Sequence, residues 1–254
     1  MLTTLLAILF SALIAEARAQ TITVAAAADL RPALDEISAQ FEKQSGVHVS
    51  AIYGSSGNFS QQIQNGAPFD LFFSANVEYP RKLETAGLIV PGSYYEYARG
   101  KIVLLVRAGS GLELKQGLKI LVVTGAKKIA IADPSHAPYG QAAVAALKNE
   151  KLYDQVSKKL VTGENISQTA SFVLSGAADV GIVALSLALS PTIKDQVRFA
   201  EIPASDYPPI QQACVVLKSS QQQKLALQFE SYVRSEDASK ILRRYGFEVP
   251  AGGR

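Results

Sequence analysis

Apolar runs of strand length alternate along the chain with segments whose apolar residues recur at helical spacing. Residues 22–27 predict a strand. Leu30, Leu34, Ile37 and Phe41 then recur at steps of four, three and four, one face of a helix that Gly46 stops. Residues 47–53 predict a second strand, followed by Gly54-Ser55-Ser56-Gly57 and a short helix over 58–65. Further strands are predicted at 69–75, 101–107 and 129–132, with a helix at 79–86. The loop A-D-P-S-H-A-P-Y-G leads into a helix over 141–151. Helices at 165–174, 221–233 and 237–245 and strands at 179–185, 197–202 and 213–217 complete the pattern. This alternation predicts a mostly parallel α/β architecture. The chain carries no internal sequence repeat and no low-complexity tract.

Open α/β sheets bind ligands beyond the carboxyl ends of their strands. Three turns qualify: Ala28-Asp29, Ser55-Ser56-Gly57 and Pro138-Tyr139-Gly140. Each precedes a helix, so each presents backbone N–H groups that lack an intrahelical partner. Such helix starts attract anions through those donors and the helix dipole. Ser55-Ser56-Gly57-Asn58 reads either as an oxyanion cradle or as an ordinary helix cap. It fits neither the phosphate loop G-x-x-x-x-G-K-[ST] nor the nucleophile elbow G-x-S-x-G. Asp29 poses a question, because it sets a carboxylate where an anion is expected to bind.

Composition narrows the picture. The chain has 254 residues and is 48% hydrophobic, with 10 Tyr, 10 Phe and no Trp, enough to build one large or two small cores. The net charge of +3 comes from mixed charges without a Lys/Arg run, which does not suggest nucleic-acid binding. Residues 1–19 are apolar and end in Ala17-Arg18-Ala19, an A-x-A pattern that predicts export and cleavage before Gln20, although no Lys or Arg precedes the apolar run. Glu16 and Arg18 cut that run short of the ~18 apolar residues a membrane span needs. The single cysteine, Cys214, lies in an apolar strand and reads as a small buried hydrophobe, so no internal disulfide is expected.

Catalytic candidates are few. The two histidines are His48, expected on a solvent face, and His136. A Ser56–His136–Asp133 hydrolase is conceivable, but nothing in the sequence orients its members. A metal site needs a cluster of Cys, His or carboxylates that the pattern lacks. Asp35-Glu36 reads as a solvated helix face, with Asp35 able to pair with Arg31. The Tyr94-Tyr95-Glu96-Tyr97 cluster is expected to pack near a domain connection.

Together, I-T-V-A-A-A-A-D-L, G-S-S-G-N-F-S-Q-Q-I, N-G-A-P-F-D-L-F-F-S-A-N, D-P-S-H-A-P-Y-G, G-E-N-I-S-Q and R-R-Y-G-F resemble the periplasmic molybdate-binding proteins of ABC importers. The resemblance spans nearly all of the chain after residue 19. It implies a type II periplasmic-binding-protein fold: two α/β lobes, a hinge and a central ligand cleft. One lobe would hold residues 20–98 with 214–254, the other 99–213. It further implies capture of molybdate or tungstate, a tetrahedral dianion held by neutral donors. The protein would then be a periplasmic monomer that passes its ligand to a membrane permease, with no cofactor and no catalysis.

Carried over position by position, the resemblance puts the family's first-loop hydroxyl or amide on Asp29, beside Ala28. The second-loop serine falls on Ser56, next to Ser55, and the backbone donors of the third and fourth loops fall on Tyr139 and Ile166. The sequence departs from the pattern twice. Asp29 is a carboxylate, and Ala184 stands where many members place a tyrosine. Tyr139 is a candidate to supply the missing hydroxyl. For Asp29, the preferred expectation is a helix cap turned away from the ligand; the others are a neutral acid that donates, or a different ligand. Sulfate, phosphate or a metal complex bound by the same fold, and an exported serine hydrolase, are the alternatives.

Overall fold

The computed structural model describes residues 20–123 and 125–250. The segment expected to direct export, 1–19, lies outside them. Strands β1 (Thr21–Ala27), β2 (His48–Gly54), β3 (Leu71–Ser74), β4 (Tyr95–Gly100) and β10 (Ile210–Val216) form one sheet, in the order β2-β1-β3-β10-β4. Strands β5 (Ile102–Arg107), β6 (Ile129–Ala132), β7 (Leu160–Gly163), β8 (Val180–Ala184) and β9 (Val197–Glu201) form the other, in the order β7-β6-β8-β5-β9. Helices α1 (Arg31–Ser45), α2 (Ser56–Gln64), α3 (Glu78–Thr85), α9 (Gln223–Val233) and α10 (Glu236–Arg244) accompany the first sheet. Helices α4 (Ile120–Val123), α5 (Pro138–Asn149), α6 (Tyr153–Val156), α7 (Ile166–Ser175) and α8 (Leu185–Ala188) accompany the second.

The two sheets share one plan. In each, four strands run in one direction and only the fourth in the order runs against them, so both of its pairings are antiparallel. Matching β1 with β6, β2 with β7, β3 with β8, β10 with β5 and β4 with β9 makes the two orders identical. The duplication is one of topology, since the sequence has no repeat. Half of the pairings are therefore antiparallel, while four of the five strands in each sheet keep the common direction that the mostly parallel reading expects. The cause is the crossing chain: the fourth strand of each sheet is the one that has just arrived from the other.

Those crossings lie a few residues from the expected points. The resemblance implies them at about 98/99 and 213/214. Arg99 and Gly100 instead belong to β4, and β10 begins at Ile210, both in the first sheet. The two crossing strands pair with each other, Ile210 with Gly100, Gln211 with Arg99 and Gln212 with Ala98, so neither leaves the sheet before that ladder ends. The chain changes sheets at Lys101 and again over 202–209. Lys101 Nζ lies 3.0 Å from Glu248 and 3.9 Å from Glu201, tying the crossing to both lobes with the small energy of surface pairs, ~0–1 kcal/mol.

Each sheet has its own core. Strands covered on both faces read as continuous apolar runs, and β1 is buried from Val24 to Ala27. The predicted α1 face packs as expected: Leu34, Ile37 and Phe41 are buried with Phe229 of α9 and Ile241 and Leu242 of α10. Each such side chain contributes about 1.5–3 kcal/mol. Phe59 and Ile63 of α2 and Leu83 of α3 cover the opposite face. A separate cluster encloses the second sheet and reaches Ala27, Ala28 and Ala75 of the first, so apolar contact runs across the cleft. Cys214 is fully buried in β10, and the His48 side chain is exposed. The expected Arg31–Asp35 pair is replaced: the Arg31 guanidinium stacks on the Tyr53 ring at 4.1 Å, and Asp35 accepts the Tyr53 hydroxyl.

Candidate functional site

The carboxyl ends of β1, β2 and β3 face those of β6 and β7. Together they bring Ala27 to Asp29, Gly54 to Ser56, Ala75, Ala137 to Tyr139 and Ile166 to one small cavity. The six residues singled out from the sequence, Ala28, Asp29, Ser55, Ser56, Tyr139 and Ile166, all line it. Its lining holds no cationic side chain. Arg31, one turn away, is exposed.

Three helix starts bring donors to this space. Ser55 stands before α2 in extended conformation, yet its side chain makes no cap bond, and its buried Oγ has no hydrogen-bond partner. The capping role considered for this loop is therefore not used. Ser56 Oγ accepts the Ala75 N–H at 2.9 Å, which occupies a lone pair and leaves the hydroxyl proton to be donated. In α5 the first residue is Pro138, which has no N–H to lose, so Tyr139 supplies the helix's first donor. The helix begins three residues before the predicted Gln141, and that early start puts Tyr139 in its first turn. At α7 the Asn165 side chain accepts the N–H groups of Ser167 and Gln168, and this cap leaves the Ile166 N–H over.

The rim is closed backbone to backbone. Gly57 N–H donates to the His136 carbonyl of the opposite lobe at 3.0 Å. A Cβ on Gly57 would lie 2.8 Å from that oxygen, so only glycine allows this approach. Ser167 Oγ donates to the Ala28 carbonyl at 3.2 Å and Ser186 Oγ to the Asp29 carbonyl at 2.7 Å, two further bonds between lobes.

Asp29 differs from its preferred expectation. Neither the 3-10 turn that contains it nor α1 has a side-chain cap. Its Oδ2 instead accepts the Tyr139 hydroxyl at 2.8 Å and Gln212 Nε2 at 2.7 Å. Gln212 Nε2 also lies 3.0 Å from the Tyr139 oxygen, and Gln212 Oε1 accepts the Tyr97 hydroxyl at 2.6 Å. The chain leaves room for this network at Gly100, where a Cβ would stand 2.0 Å from the Tyr139 hydroxyl. The Tyr139 proton is thus spent on Asp29, and the idea that this hydroxyl replaces the missing tyrosine is corrected. Ala184, at that missing position, closes β8 and does not line the cavity.

Asp29 is fully buried, and its Oδ1 has no hydrogen-bond partner. Burial pushes its pKa up to about 6, against the hydrogen bonds from Gln212 and Tyr139, which hold it down, with a smaller contribution from the adjacent backbone amides of Asp29 and Leu30. Burial, with Asp29 beside them, raises Tyr97 and Tyr139 well above the usual phenol value, so both stay neutral. Gln212 and Tyr97 escaped the sequence reading. The one available signal was an amide inside an apolar strand, Q-Q-A-C-V-V, where burial demands a partner.

The hydrolase arrangement is not assembled. Among the described residues no hydrogen bond joins His136 to Ser56, and His136 Nε2 lies 3.6 Å from Asp133 Oδ2. Among them, too, no group of three His, Cys, Asp or Glu is placed to hold a metal ion.

Comparison with known proteins adds to this geometry. Residues 22–248 match the family model for bacterial extracellular solute-binding proteins. The chain is 36% identical to the molybdate-binding protein ModA of Rhodobacter capsulatus, over 91% of this chain and 89% of that protein. It is 37% identical to ModA of Azotobacter vinelandii, over 91% of each. The solved structure of the Azotobacter vinelandii periplasmic molybdate-binding protein superposes with a TM-score of 0.86, covering 91% of this chain and 100% of that one. The protein belongs to the family of bacterial extracellular solute-binding proteins that includes these molybdate-binding relatives.

Proposed function

We propose that this protein captures molybdate or tungstate outside the cytoplasm and delivers it to the membrane permease of an ABC importer. The cavity supports this reading most directly. It is a small space between the two lobes, lined by residues that offer hydroxyls and helix-start N–H groups and by no cation. Ser55 and Ser56 offer hydroxyls, and Tyr139 and Ile166 offer backbone donors. Ala28 and Asp29 form the wall at the start of the first helix. A tetrahedral dianion there receives charge-assisted hydrogen bonds from several directions while the helix dipoles supply a favourable field.

Selectivity follows from rigidity. Gly57 against His136 is a backbone contact, and so is Gly140, where a Cβ would lie 2.1 Å from the Ala132 carbonyl. A cradle set by backbone cannot shrink around a smaller oxyanion such as sulfate, so its bonds to sulfate lengthen and weaken. The lobes close on the ligand, and the closed shape is what the permease recognises. The protein acts as a periplasmic monomer, exported by residues 1–19, with no cofactor and no reaction of its own. Calorimetric titration with molybdate, tungstate, sulfate and phosphate tests this reading. Tight binding of the first two and weak binding of the others is the expected result, and tight binding of none would sink it.

A further inference from the structure

Two residues that line the cavity each carry a buried polar atom with no hydrogen-bond partner, Ser55 Oγ and Asp29 Oδ1. Ser55 is easily understood, because a hydroxyl can turn its proton to an incoming oxyanion. Asp29 is not. An ionised carboxylate is acceptor-only, and a tetrahedral dianion also presents only acceptors. Two acceptors facing each other in a buried space repel, and neither is solvated.

The surroundings of Asp29 do not relieve this. Facing it are the Tyr139 hydroxyl from α5, the Gln212 amide from β10, the adjacent backbone amides of Asp29 and Leu30 and, behind these, the Tyr97 hydroxyl from β4. Ser186 from α8 and Ser167 from α7 serve backbone carbonyls, and Ser55 and Ser56 belong to the start of α2. None of these groups is a cation. Both hydrogen bonds that the side chains supply go to Oδ2, so Oδ1 is the oxygen left to carry a proton.

On the oxyanion reading of the cavity, we infer that a single proton bridges Asp29 Oδ1 and an oxygen of the bound dianion, so that a dianion entering while Asp29 is ionised brings one proton with it. Asp29 is then a specificity-determining residue. It turns a repelling contact into an O–H···O bond and makes capture dependent on pH. It also favours molybdate over sulfate, because sulfate, the weaker base, holds its share of the proton less well. The free protein's Asp29, held at about 6 by burial, is largely ionised above neutrality and must be reprotonated there on binding.

Titration calorimetry of the protein with sodium molybdate, in buffers of different ionisation enthalpy, counts the protons. Near pH 8, uptake of about one proton per molybdate is expected, falling towards zero near pH 5, where Asp29 is already neutral. Affinity should drop about tenfold per pH unit above about 6. Asp29→Asn, which keeps an acceptor for Tyr139 and Gln212 and adds a donor, should bind molybdate with no proton uptake and a flat pH profile. The preference of this variant for molybdate over sulfate should be smaller than that of the wild type. Molybdate binding by the wild type without proton uptake near pH 8 would overturn this inference alone. Absence of molybdate binding at every pH, in both proteins, would overturn the oxyanion reading and this inference with it.

Discussion

Replacing Asp29 by asparagine exchanges a buried ionisable group for a neutral one of nearly the same shape, and the effect on the ligand-free protein has a calculable size. Burial moves the carboxyl from its ordinary 3.8 to about 6. At 1.36 kcal/mol for each unit, that difference amounts to about 3 kcal/mol. The sign follows from which state gives up its proton first. Below about pH 4 folded and unfolded chains both hold the proton, and the residue carries no ionisation penalty. Between about 4 and 6 the unfolded chain releases it and the folded chain does not, so stability declines as pH rises. Above about 6 the folded carboxylate ionises as well, and the deficit stays at its full value. Asparagine has no such deficit, and its Oδ1 can still accept from Tyr139 and Gln212. Urea denaturation of both proteins across this range reads the difference. The variant should gain about 3 kcal/mol on the wild type between about pH 4 and 7. A stability difference that does not change with pH would refute the reasoning, because it would mean that the buried carboxyl titrates as it does in the unfolded chain.

Three further substitutions probe other parts of the site. Ser56→Ala removes a hydroxyl donor and strands the buried Ala75 N–H; molybdate affinity should fall about 10- to 100-fold by calorimetry, and stability by about 1–3 kcal/mol. Gly57→Ala forces a methyl group against the His136 backbone, so the rim cannot close; circular dichroism should be unchanged, while affinity drops about tenfold or more and small-angle scattering in saturating molybdate shows a more open particle than the wild type. Tyr139→Phe removes one of the bonds that hold the Asp29 pKa down, so the pH midpoint of molybdate affinity should move upward, with little change in affinity at low pH.

The cradle was legible in the sequence because its parts are local. A strand, a small-residue turn and a helix start sit within a few residues of one another at Ala28-Asp29, Ser55-Ser56 and Pro138-Tyr139. Ile166 came only through resemblance, although its physical signal, the Asn165 cap one residue earlier, is equally local. The Asp29 network was not legible. It joins Asp29, Tyr97, Tyr139 and Gln212, and its longest bond in sequence spans 183 residues. No periodicity announces a contact of that kind. The partners of Asp29 were missed for the same reason: helix capping is the local option, and two distant donors outcompete it. β4 was hidden because its inward Tyr95 and Tyr97 alternate with Glu96, a pattern that reads as a polar aromatic cluster until β10 arrives to pair with it. Likewise, nothing within 98–101 or 202–214 marks the crossings, since they are set by the ladder between two strands about a hundred residues apart.

The central claim is that one dianion is held in the cavity by neutral donors from both lobes. A crystal structure of the tungstate complex tests it most directly, because the anomalous signal of tungsten locates the anion independently of phases from the protein. The account predicts one tungsten site, its oxygens within about 2.7–3.2 Å of Ser55 Oγ, Ser56 Oγ and the backbone nitrogens of Tyr139 and Ile166, with no lysine or arginine in contact. One oxygen should also lie within hydrogen-bond distance of Asp29 Oδ1. Tungsten found outside this cavity, or held by a cationic side chain, would contradict it.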